Sequence, residues 1–289
     1  MKKSIGIKIT ILVFFLIWII THLPSPLFSQ NTVPDSMRNN PKINSPVAAA
    51  NTLIHTYVSD SWNILIAPTR MQKKHLAPLA GMVVIGGILY HYDSDIMEAF
   101  NRSYANGIYK NIMHTGEIME PMGQIERMNP YFIGGYLVGY VGKWPKLQTA
   151  SLQIMESLTI ASGYKQLIRE LVGRARPSEH KGARFFKFSE GESFPSGHTS
   201  NAFQVATILS YHVDRLPFTI LSYGIATTVG LKRIDVNLHW ASDVFAGAVY
   251  GTAVANMLLH LHKRYELSIL PYYDANYQQH MVKTIYAFN

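Results

Sequence analysis

Three short segments carry residue types at spacings that suit chemistry on an anion such as phosphate. The first is Arg169-Glu-Leu-Val-Gly-Arg-Ala-Arg176-Pro177. Two helical turns put Arg169 and Arg176 on one face, and Pro177 then stops the helix. A guanidinium is a rigid, permanently charged fork that matches an oxyanion. Taken alone, the segment also reads as an ordinary basic helix end, where arginine complements the dipole. The second is Pro195-Ser196-Gly197-His198-Thr199, a tight turn before an apolar-periodic helix. Backbone N–H groups at such a helix start form an anion site, Ser196 adds a hydroxyl, and His198 could pass a proton to a leaving group. An N-cap turn with an incidental histidine competes with that reading. The third runs from Arg233 through His239 to Asp243. His239 and Asp243 share a helix face, so the carboxylate could hold one imidazole nitrogen and free the other as nucleophile or base. Arg233 could reach the same anion. A structural His–Asp pair is the competing reading.

In this order and with these gaps, the three segments together resemble the signature of the type 2 phosphatidic acid phosphatase superfamily. That superfamily includes bacterial class A acid phosphatases, lipid phosphate phosphatases and vanadium haloperoxidases. Its pattern is Lys-x6-Arg-Pro, then Pro-Ser-Gly-His, then Ser-Arg-x5-His-x3-Asp. Here the pattern stands as Arg169-x6-Arg176-Pro177, Pro195 to His198 intact, and Lys232-Arg233-x5-His239-x3-Asp243. Arg169 replaces the usual lysine and Lys232 the usual serine; neither change removes a proton-transfer group or the nucleophile. The resemblance covers 169–243.

The resemblance implies an all-α fold, a single helical-bundle domain of the acid phosphatase/vanadium haloperoxidase type. It also implies roles. His239 attacks phosphorus and forms a phosphohistidine, Asp243 orients it, and His198 protonates the leaving alcohol and later deprotonates water. Arg169, Arg176, Arg233, Ser196 and the Gly197 N–H hold the phosphoryl oxygens. Fixed positive groups can stabilise the charge that develops on those oxygens. We therefore expect no metal and no cofactor, although phosphate or vanadate fits the same pocket. Arg174, off the signature, is read as a structural or secondary charge.

The elements that must position these residues are helices. Apolar residues recur at three- and four-residue spacing over 47–58, 76–91, 94–105, 130–142, 147–174, 199–213, 217–231 and 241–263. Residues 178–194 form a loop carrying His180, Lys181, Arg184 and Lys187 among Phe185, Phe186 and Phe188. It either borders the pocket and meets a lipid headgroup, or packs its aromatics inward. Ahead of the helices, Lys2, Lys3 and Lys8 precede an apolar run from Ile9 to Ile20 and a polar end with Pro24, Pro26 and Ser29. That order reads as an export signal, with an uncleaved anchor as the alternative. The expected organisation is 1–29 signal or anchor, 30–46 linker, 47–268 helical phosphatase domain and 269–289 tail.

Composition narrows the class. With 48% hydrophobic and 15% charged residues the chain cannot be mostly disordered. It has no cysteine, which removes thiolate catalysis, disulfide scaffolds and Cys-ligated metals. The net charge of +8 suits anionic partners. Leu76–Tyr90 and Val244–Leu259 are apolar but short for a membrane span, and mean hydropathy is only +0.05. They read as buried core of an exported, soluble or peripheral protein of a bacterial periplasm or envelope. An inner-membrane protein with an outward-facing site is the alternative. The expected function is a metal-independent phosphatase of phosphomonoesters, with envelope lipid phosphates among its candidate substrates and contact with a membrane surface. The alternatives are a vanadate-dependent haloperoxidase and an envelope binding protein with an inactive site. Serine hydrolysis lacks its Gly-x-Ser-x-Gly elbow, since position 194 is Phe. No nucleic-acid module is present, and no nucleic-acid partner is expected.

Overall fold

The computed structural model describes residues 46–102, 107–265, 272–274 and 279–281. The expected export segment, nearly all of the linker and most of the tail lie outside these residues. The described part is helical, as expected: α1 (Pro46–Ile66), α2 (Leu76–Asn101), α3 (Gly107–Ile118), α4 (Ile125–Val141), α5 (Pro145–Val172), α6 (Gly197–Val213), α7 (Leu216–Asp235) and α8 (Ala241–Tyr265). Two short antiparallel strands, β1 (Tyr272–Asp274) and β2 (Gln279–Met281), follow. The helices expected at 76–91 and 94–105 are one continuous α2, because nothing between them breaks it. The sequence reading had no counterpart of α3.

Helix α6 is the centre of the bundle, packed against α5, α7 and α8. It is buried almost all round: Ala202, Phe203, Val205, Ala206 and Ile208 are each 2% exposed or less. Such a helix can only be a core element. Helix α8 crosses it closely. A Cβ on Gly247 or Gly251 would strike the backbone oxygen of Ser196 or Ser200, so these two glycines allow the approach. The contact brings the start of α8 to the turn that opens α6, where Ser196 N donates to Asp243 O at 3.0 Å. At the other end of the bundle, His262 on α8 lies 3.1 Å from Asp60 on α1 and 3.2 Å from Glu156 on α5, tying α1 to the core.

Two stretches, Lys73–Asn101 and Ala241–His262, are long and apolar enough to cross a membrane. The second is 56% buried, which fits the expected core helix, but the first is only 11% buried. Leu79, Val83, Val84 and Ile88 point outward, as do Ile133, Leu137 and Val141 on α4. The expectation that Leu76–Tyr90 forms buried core is therefore corrected. Apolar faces of this size in water favour a partner or a lipid phase.

One buried cation ties distant elements together. Arg174 follows the end of α5 and is 1% exposed. It donates to Asp93 Oδ2 on α2 at 2.7 Å, to Asp243 Oδ1 on α8 at 2.5 Å, to Ser242 Oγ at 2.7 Å and to Ala183 O at 2.8 Å. Tyr90, Phe186 and Trp240 cover its guanidinium, with ring centres 5.1–5.6 Å away. Removing one partner leaves buried charges uncompensated, at a cost of about 3–5 kcal/mol. Arg174→Met should therefore lower stability by about that amount, read as thermal unfolding in detergent. Arg174→Lys should recover little, because one ammonium cannot span Asp93 and Asp243 together.

Candidate active site

The three sequence segments converge at one end of the bundle. Arg169 lies in the last turn of α5, which stops at Gly173 in the left-handed conformation (φ 57°), and Gly173 N closes onto Arg169 O at 2.8 Å. The Arg169 guanidinium reaches across to Pro195 O at 3.4 Å and lies against Gly197. Any side chain at position 197 would meet Arg169 Nη2, so the glycine lets a cation sit against the first residue of α6. Arg176 follows in extended backbone and pairs with Glu192 at 3.0 Å. Arg233, in the last turn of α7, is 3% exposed; its Nη1 pairs with Glu120 at 3.0 Å, while its buried Nε has no hydrogen-bond partner. Ser196 is fully buried, with its hydroxyl 2.9 Å from Thr199 Oγ1 at the helix start.

His239 is 3% exposed, and its Nδ1 lies 2.7 Å from the carbonyl oxygen of Ser193. A carbonyl only accepts, so Nδ1 carries the proton and Nε2 carries the lone pair. Burial, with the charges of Arg176 and Arg169, holds this imidazole well below its usual pKa and hence neutral at neutral pH. The direct His239–Asp243 contact expected from the spacing is not the one formed. Asp243 Oδ2 instead accepts from Ser193 Oγ at 2.6 Å and from Trp240 N at 2.9 Å. Asp243 thus acts on His239 through Ser193, whose hydroxyl it holds while the carbonyl of the same residue holds the imidazole.

His198, in the first turn of α6, has Nε2 buried without a hydrogen-bond partner, 3.8 Å from Glu120 Oε1. Burial, then the Arg233 charge, draws its pKa to about 4; Glu120 works in the opposite direction. The Lys232 ammonium, at the second departure from the signature, is held by Asp235 at 3.0 Å and Glu117 at 3.6 Å. Its charge is already paired.

Sequence reasoning missed several members of the site. Asp93 lies far from the signature in the chain and gave no signal. Ser193 and Glu120 sit in turns with no periodicity to mark them. Lys165 had a signal: it stands one helical turn before Arg169 on the same face of α5. It is 5% exposed and donates to Asn201 Oδ1 at 2.8 Å. The loop after Arg176 does not pack its aromatics wholly inward: Phe186 is 45% exposed and Phe188 69%. Its residues Lys181 to Phe185 line an open cleft with Tyr90, His91, Ser94 and Asp95 of α2.

Comparison with known proteins agrees with this geometry. Residues 150–266 match the model of the PAP2 superfamily. A lipid A 1-phosphatase from Porphyromonas gingivalis is 27% identical over 202 residues, covering 66% of this chain and 39% of that protein. Lipid phosphate phosphatase 1 from Arabidopsis thaliana is 42% identical over 77 residues, covering 22% of this chain and 24% of that protein. The chain thus spans well under half the length of either curated relative. A solved transmembrane PAP2 type phosphatidylglycerolphosphate phosphatase from Bacillus subtilis aligns at 20% identity and a TM-score of 0.47, covering 64% of this chain and 95% of that one. The two histidines, the three arginines and Asp243 all fall within residues 150–266, the stretch that is similar to the PAP2 superfamily.

Proposed function

We propose that the chain is a phosphoric ester hydrolase acting on lipid phosphates, through a phosphohistidine on His239. One observation carries the reading: a neutral histidine, its Nδ1 proton held by the Ser193 carbonyl, lies within reach of the charges of Arg176 and Arg169 and is bonded through its backbone N to Arg233 O at 3.2 Å. The family match and relatives named as lipid A and lipid phosphate phosphatases support it. The outward apolar faces of α2 and α4 and the exposed Phe186 and Phe188 beside Lys187 support a membrane setting and a lipid substrate. A cell-envelope location, with the site at a membrane surface, follows from the same reading.

In the first step His239 Nε2 attacks phosphorus, and the bond to the ester oxygen breaks. His198, protonated in the substrate complex, gives its proton to that oxygen, and the alcohol leaves. The incoming phosphate dianion favours the protonated His198, offsetting the burial that otherwise keeps it neutral. The neutral His198 then takes a proton from water, whose oxygen attacks the phosphohistidine and releases phosphate. The arginines and the Gly197 N–H stabilise the phosphoryl oxygens throughout, so the reaction needs no divalent ion. The Ser193 carbonyl, fixed by Asp243, stabilises the imidazole as it becomes positive.

The haloperoxidase reading has no counterpart among these relatives, which are named as phosphatases. A binding protein with a decayed site fits poorly with an intact pair of histidines. Phosphate release from a lipid phosphate by the full chain in detergent should survive a chelator and be blocked by vanadate. His239→Ala should abolish it. His198→Asn should lower kcat by about 10²–10⁴-fold. Activity lost to the chelator and restored by a divalent ion would overturn the metal-free route.

A further inference from the structure

Lys165 is a buried charge that the reaction above does not use. Of the three donors on its ammonium, one is accounted for, by Asn201 Oδ1 at 2.8 Å. No carboxylate of the described residues pairs with it. Its charged surroundings are Arg169 on its own helix, Glu126 at the start of α4 and His198 on α6, and Arg169 makes its charge harder to keep. A buried cation is costly unless an anion meets it, and none of the described residues supplies that anion.

The position of Lys165 says which anion. A Cβ placed on Gly197 would touch Arg169 Nη2 and lie 3.5 Å from Lys165 Cε. Both cations therefore border the residue that opens α6, where free N–H groups favour an oxyanion. Asn201, one turn along α6, steadies the ammonium and donates from Nδ2 to Gly123 O at 2.8 Å. Gly123 in turn backs directly onto His198. Lys165 thus stands between the phosphoryl-binding guanidinium and the proton donor.

We propose that Lys165 is a substrate-binding residue of this site, taking a phosphoryl oxyanion and supplying from one turn earlier the ammonium that the signature places at 169. The proposal rests on the phosphatase reading for its substrate, but anion binding tests it without turnover. The oxyanion belongs either to the reacting phosphoryl group or to a second phosphoryl group on the leaving side.

Burial and the charge of Arg169 draw Lys165 down to about 7 in the free site. His198 and His239 are already neutral there, and the arginines stay charged. As pH rises through about 7 the free site loses the Lys165 charge, and an oxyanion binds more weakly. Tungstate is a suitable probe, because its own charge is constant between about pH 6 and pH 9. For the full chain in detergent, its affinity by calorimetry should fall about tenfold or more across that range. In a His198→Asn background, which removes the proton that a bound dianion draws to His198, Lys165→Arg should bind within about threefold of the low-pH value at every pH, because arginine does not titrate. Lys165→Met should bind about tenfold or more weakly than wild type at the low end of that range and converge with it at the high end, with unfolding temperature as the control for folding. Wild-type affinity in the folded Met variant at low pH, or a wild-type pH profile in the Arg variant, would overturn the proposal. The Arg arm decides even if the Met variant fails to fold.

Turnover separates the two sources of the oxyanion. Equal loss of kcat/KM by Lys165→Met on a lipid monophosphate and a lipid diphosphate assigns the contact to the reacting group. Loss confined to the diphosphate assigns it to a second phosphoryl group. A protein that binds tungstate through Lys165 but releases no phosphate would keep this proposal and sink the phosphatase reading.

Discussion

The guanidinium of Arg174, buried between Asp93 and Asp243, governs the geometry of everything around it. Neither carboxylate could be buried at this depth alone, because an unpaired ion in a low-dielectric interior loses far more hydration than packing returns. Arg174 makes their burial tolerable, and the fork fixes where each must lie. Asp93 brings α2 to the site and accepts from Ser242 N at 2.9 Å. Asp243 is thereby held at the start of α8 with one oxygen left for Ser193 and Trp240 N. The tautomer of His239 depends on Ser193. A residue off the signature thus sets the state of the histidine on it.

The pocket also has to solve an electrostatic problem. The proposed phosphoryl transfer needs concentrated positive charge, yet its histidine nucleophile must be neutral. The two demands agree here, since the same arginines that would hold the phosphoryl oxygens push the imidazole toward its neutral form. Glu120 and Glu192 temper the charge of Arg233 and Arg176 without neutralising the whole set. The N-termini of α6 and α8 contribute fixed partial charges of the sign that suits an anion, and the arginines offset the opposite sign at the ends of α5 and α7.

Much of this was legible in the sequence, and the limits were physical. Helical periodicity located most of the bundle, but α5 stops at Gly173 ahead of the expected Pro177, so Arg176 leaves the helical face it was expected to share with Arg169. The spacing of the three segments identified the residues that converge. Spacing pointed to a His239–Asp243 contact on one helix face, but His239 lies in the connection ahead of α8, where its Nδ1 meets Ser193 O instead. Hydropathy could not say which apolar helix is core: α2 and α8 look alike in composition, but only α8 has the Gly247 and Gly251 pair that lets it nest against α6. Asp93 was invisible because its meaning comes from a contact across the fold.

The chain direction of the helices explains why the site sits where it does. Helices α5 and α7 end in it and contribute arginines from their last turns, where cations offset the negative end of the dipole. Helices α6 and α8 begin in it; Asp93 takes up Ser242 N at the start of α8, so the start of α6 is the one that offers N–H groups to an anion. The short connections from α6 to α7 and from α7 to α8 make those helices alternate in direction, and the longer loop after α5 returns the chain to the same end, so the complementary ends gather there. All the charge needed for an anion is then concentrated there, and the flanks are free to be apolar. That division suits the proposed substrate, with its phosphate head and hydrocarbon tail: a polar site at one end, and apolar sides that a lipid phase would cover.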